Sequence, residues 1–130
     1  MTDKKSKKQL RLEERKYVAE LIRYVLTGSL SVRDALLNYP RRSNSDQSLT
    51  AAYHALIHYE ADEDLRARDM LYKEEQDDYL EMLSHILEKG EDLPDNVIKN
   101  YKKYYKSANI PNGNDAIGLV KSFLRFLNIS

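Results

Sequence analysis

Apolar residues recur along this chain at intervals of three and four, the spacing that gathers them on one face of an α-helix. Leu10, Tyr17, Val18, Leu21, Ile22, Val25 and Leu26 form the first stripe and predict a helix from Ser6 to about Thr27. Gly28 stands just beyond it, where a left-handed cap favours glycine. Ser31 is placed to cap a short second helix whose Val32, Ala35, Leu36 and Tyr39 face inward and which Pro40 ends. Residues 41–47 are all polar and read as a loop.

From Leu49 to Lys89 there is neither Gly nor Pro. One helix of that length is unusual in so small a domain, so the reading is two helices joined by a tight turn near Asp62–Asp64. Leu49 to Ala61 is apolar nearly all round, which predicts a central position. Leu65, Tyr72, Tyr79 and Ile86 then recur every seven residues, and Gly90 ends that helix. Leu93-Pro94 opens another, with Val97, Ile98, Tyr101, Tyr104 and Tyr105 on its apolar side. After Ile110-Pro-Asn-Gly, Asn114 caps a last helix lined by Ile117, Val120, Phe123, Leu124 and Leu127. No alternating runs flank a hairpin signal. The pattern predicts an all-α fold: a single bundle of five to six helices, residues 1–130, around a central antiparallel helical hairpin, with residues 1–8 as a flexible basic tail.

Composition narrows the class. An apolar fraction of 42% suits a globular domain, and the absence of cysteine excludes a disulfide scaffold, a thiolate nucleophile and Cys-ligated metal. The basic start is followed by no apolar h-region, and no run of about 18 apolar residues exists, so the expectation is a soluble cytoplasmic protein without membrane contact. The net charge is zero, yet it is unevenly spread. Residues 60–95 hold fourteen acids against four bases, whereas 1–24 hold eight bases against four acids and 96–130 six against one. Such blocks predict internal pairing or a strongly polarised surface. Phosphate-cradling and nucleophile-elbow glycine motifs are absent, and four glycines leave little backbone for them.

Three clusters are candidates for function. His54 and His58, four apart, lie on one helical face and can reach one ion; a chain reversal near residue 63 would bring Asp69, Tyr72 and Gln76 opposite them. His54, His58 and Asp69 therefore form a candidate divalent-metal or acid–base site, against the alternative of a buried hydrogen-bond network. Glu81 and His85 form a second such pair. In the acidic block, Asp62 with Arg66 and Asp64 with Arg68 pair locally at i, i+4, but Glu74, Glu75, Asp77 and Asp78 have few bases nearby and could attract a basic partner. Lys102, Lys103 and Lys106 alternate with tyrosines, a pattern that can neutralise phosphates and stack on bases, although the same spacing serves an ordinary core stripe with lysines facing water.

Weighed together, these features favour a small non-catalytic protein that binds another protein as an adaptor or regulator, or pairs with a second copy of itself. Ten tyrosines suit an interface. The alternatives are a metal-binding protein using His54, His58 and Asp69, and a nucleic-acid-associated protein using the basic ends.

Overall fold

A computed structural model describes residues 6–40 and 45–108, the last five of these as helix backbone alone. Six helices and no strand occur among the described residues: α1 (Lys7–Leu26), α2 (Val32–Leu37), α3 (Gln47–Ala61), α4 (Glu63–Arg68), α5 (Met70–Glu88) and α6 (Asp95–Ala108). The helix expected after Asn114 lies outside the described residues. The fold is all-α.

Local chemistry sets most helix ends. Ser6 Oγ accepts from the Gln9 amide and Gln9 Oε1 accepts from the Ser6 amide, each at 3.1 Å, a reciprocal capping box. Ser31 caps α2 through the Asp34 amide, and Asp46 caps α3 through the Ser48 amide. Gly28 and Gly90 both take positive φ, +80° and +77°, as α1 and α5 end. At Gly90 a side chain would also collide with Leu12, so α1 packs directly onto that turn.

The core collects the predicted stripes. Val18, Leu21, Ile22 and Val25 of α1 meet Tyr72, Tyr79, Leu80, Leu83 and Leu87 of α5, with Leu49, Ala52, Ala55 and Leu56 of α3 and Leu93, Val97 and Tyr101 completing the cluster. α1 makes its most extensive contact with α5, whereas α3 touches each of the other five helices. A helix with so many neighbours has no broad solvent face, which accounts for an apolar circumference.

The long Gly- and Pro-free stretch breaks twice. α3 ends at Asp62 as expected, but the helix expected from Leu65 to Lys89 is interrupted again at Asp69, whose backbone is extended (φ −133°, ψ 103°). The physical reason is the Asp69 carboxylate. It accepts from the amides of Leu71 and Tyr72, both at 3.1 Å, and so starts α5 afresh. Between the breaks sits α4, six residues long with none of them buried.

Candidate functional site

A buried polar network occupies the junction of α3, α4 and α5. Asp62, fully buried where α3 ends, is its centre. Asp62 Oδ2 accepts from the Tyr72 hydroxyl and, at 2.9 Å, from Gln76 Nε2. Gln76 Oε1 in turn accepts from Arg66 at 2.9 Å. His58, on the last turn of α3, places Nε2 3.9 Å from Asp62 Oδ2 and packs edge-on against the Tyr101 ring. Burial pushes the Asp62 carboxyl above its ordinary value, and the Tyr72 and Gln76 hydrogen bonds and the Arg66 charge only partly oppose that. Burial and the Asp62 contact likewise push the Tyr72 hydroxyl up. Among the described residues, Asp62 Oδ1 accepts no hydrogen bond.

This network takes up His58, Tyr72 and Gln76 from the cluster expected in the sequence and leaves out two members. Asp69 is exposed and occupied in capping α5; Asp62 provides the carboxylate beside His58. His54, one turn earlier on α3, is half-buried and lines a cleft of about 230 Å³ between α3 and α6 with Gln47, Thr50, Ala51, Ile98, Tyr101 and Lys102. Burial there holds the His54 imidazole below its ordinary pKa. Among the described residues, no group of three or more His, Asp or Glu side chains is placed to hold a metal ion. Glu81 and His85 approach to 3.7 Å on the exposed side of α5.

The extra turn of α4 explains the altered register. A direct reversal at residue 63 would set His58 opposite Asp69 and His54 opposite Tyr72. With α4 inserted, Tyr72 and Gln76 return beside Asp62, and Tyr59 reaches Asp77 instead, donating its hydroxyl at 2.7 Å. Asp62 had a signal in the sequence, its i, i+4 relation to Arg66, but that spacing fits a solvated pair equally well.

A second buried ionic group joins α1 to the rest. Arg15, only 5% exposed, donates from Nε and Nη2 to the two carboxylate oxygens of Asp46 at 2.9 and 3.0 Å. Its Nη1 donates to the Gly90 carbonyl at 2.9 Å and its Nη2 also reaches Asp92 at 2.7 Å. Burial pushes the Asp46 carboxyl up, but Arg15 and the amides of Ser48 and Leu49 outweigh it and hold the group below its ordinary value. One guanidinium thus ties α1 to the cap of α3 and to the turn after α5. Sequence reasoning missed it, because a lone arginine in a basic segment carries no mark of burial.

The acidic candidates divide. Asp77 is half-buried, accepting from Tyr59 and, at 2.7 Å, from Lys73 Nζ. Glu74, Glu75 and Asp78 are exposed, and no cation among the described residues closes an ion pair with them. They share the outer face of α5 with Leu71 and Met82, 65% and 39% exposed, in the 3-4 spacing of one stripe. Lys102 and Lys103 are exposed on α6, and Lys106 lies on the same helix.

Comparison with models of known protein families, with curated proteins and with solved structures finds no match to this chain. No helix among the described residues is long and apolar enough to cross a membrane.

Proposed function

We propose that this protein is a non-catalytic binding module, an adaptor or regulator, whose α5 face holds a basic segment of another protein. One observation carries the reading: the outer stripe of α5 sets Glu74, Glu75 and Asp78 between the exposed Leu71 and Met82, with no ion pair to a described cation. Carboxylates left without counter-charges keep a negative field over that face, which speeds the approach of a cationic partner. The flanking apolar side chains lose water-exposed area only when something covers them, so they add the short-range term that charge alone lacks. From Leu71 to Met82 the stripe runs about 16 Å along the helix axis, enough for a helical or extended segment of several residues. The buried groups fit this reading as well. Tyr72 and Gln76 both donate to Asp62 Oδ2 in the interior and Arg66 donates to Gln76, a chain of contacts of the kind that fixes the packing of helices.

The test is affinity capture from native lysate with nuclease present, comparing the wild type with a Glu74→Lys, Glu75→Lys, Asp78→Lys variant. A partner recovered near stoichiometry by the wild type and lost by the variant supports the reading. A partner retained equally by both places the interface elsewhere.

A further inference from the structure

α3 is apolar round most of its circumference, yet one narrow band of it stays half-buried. Thr50, Tyr53, His54 and Ile57 recur at the 3-4 spacing of a single stripe, and the exposed Ala61 continues it. Aromatic contacts hold the two edges of this band. On one edge Tyr53 packs against Tyr39, beyond α2, with ring centroids 5.1 Å apart. On the other, Tyr101 of α6 packs against His54 and His58 at 6.5 and 6.0 Å. The cleft lined by Thr50, His54, Ile98 and Tyr101 belongs to this groove. Ile57 and Ile98 are both half-buried, and such aliphatic side chains gain stability when a neighbour covers them.

The chain carries a cover of matching length and direction. α3 and α6 run the same way: the Leu93 amide donates to Ser48 Oγ close to where both begin, and Tyr101 lies beside His54 and His58 further along. α6 therefore delivers Ala108 toward the Ala61 end of the groove, about 10 Å of helix rise beyond Tyr101. The sequence then has the turn signal Ile110-Pro-Asn-Gly, followed by the apolar stripe of Ile117, Val120, Phe123, Leu124 and Leu127. A helix from Asn114 to Leu127 would rise about 20 Å, close to the length of the fifteen-residue α3. Helices joined by a short connection pack as antiparallel neighbours, and a return in that sense runs the groove from Ala61 back to Gln47.

We propose that residues 114–127 of this same chain seat in the groove between α3 and α6, with Ile117 toward Ile57 and Leu124 toward Thr50 and Ile98. A tethered segment meets the groove at high effective concentration, which sets it ahead of a free peptide bearing the same stripe. Its seating gives α3 the central position that an apolar circumference requires.

The experiment uses the full chain, whose lack of cysteine lets Ser122→Cys carry a single nitroxide label. The label should broaden the amide signals of Thr50, His54, Ile57 and Ile98 in its own chain, spare those of Glu74 to Asp78 on α5, and do so unchanged on dilution. Phe123→Ser with Leu124→Ser should abolish the broadening while the signals of α1 and α5 stay in place. Should that variant fail to fold, Thr50→Cys with Leu124→Cys must oxidise to a disulfide within the monomer. Broadening that arises only when spin-labelled copies are mixed with isotope-labelled ones assigns the groove to a second copy and overturns the proposal. Broadening centred on another face, or none at all, overturns it too.

Discussion

Arg15 and Asp62 stand at opposite ends of what a buried charge can do to a fold. Arg15 and Asp46 are a bidentate pair, each about 5% exposed, and each of the three guanidinium nitrogens donates at least one hydrogen bond. Breaking such a pair leaves an uncompensated carboxylate in the interior. Arg15→Met should therefore lose about 3–5 kcal/mol in urea denaturation, and Arg15→Met with Asp46→Asn should lose less than the single change. Asp62 has no such cation at hydrogen-bond distance, and its carboxyl is pushed up by burial. A raised folded-state pKa means that the native state binds the proton more tightly than the unfolded chain does. The contribution of Asp62 to stability is thus fully present below the ordinary value of 3.8 and lost as pH rises through the raised folded value. Asp62→Asn keeps an oxygen for Tyr72 and Gln76 and cannot ionise, so its stability relative to wild type should climb across that window. A flat difference between the two stability profiles would show that Asp62 is not the group responsible. Neither residue was legible in the sequence as a buried charge: Arg15 sits in a segment with a basic excess, and Asp62 lies near the start of the acidic block.

At the scale of the element, periodicity read well and the polar interruption of periodicity read less well. The stripes of α1, α3 and α5 became the core because spacing alone decides which side chains share a face. Gln76, which interrupts the seam of α5, is indeed fully buried. Asp69 interrupts the same seam for a different reason. An aspartate inside an apolar repeat can turn inward to a partner or stop the helix and cap the next one, and the pattern is identical until a backbone is drawn. Here it caps α5, and the chain gains the turn of α4 that moves every residue of α5 out of the expected register with α3. Asp69→Ala should cost about 1 kcal/mol by loss of the cap, and Asp69→Asn, which caps as well, a few tenths at most. Chemical denaturation at neutral pH checks both. Equal losses in the two variants would mean that the carboxylate charge, rather than the cap, holds this helix start.

The whole molecule is organised by charge as much as by its core. A chain with no net charge still concentrates fourteen acids in residues 60–95, and the structure spends them unequally. Asp62 is buried, Asp69 caps a helix, Asp77 binds Tyr59 and Lys73, Asp92 meets Arg15, and Glu88 meets Arg23. Glu74, Glu75 and Asp78 are exposed without an ion pair to any described residue. The charge block was plain in the sequence, but which of its members face outward followed only from the two breaks and the roll of α5. The most direct measurement is a map of backbone amide shifts on this protein as the captured partner is added, at low and at raised salt. Binding of a basic segment on α5 should give shifts centred on Leu71, Glu74, Glu75, Asp78 and Met82 that weaken as salt rises. Shifts centred away from α5, or unaltered by salt, would contradict it.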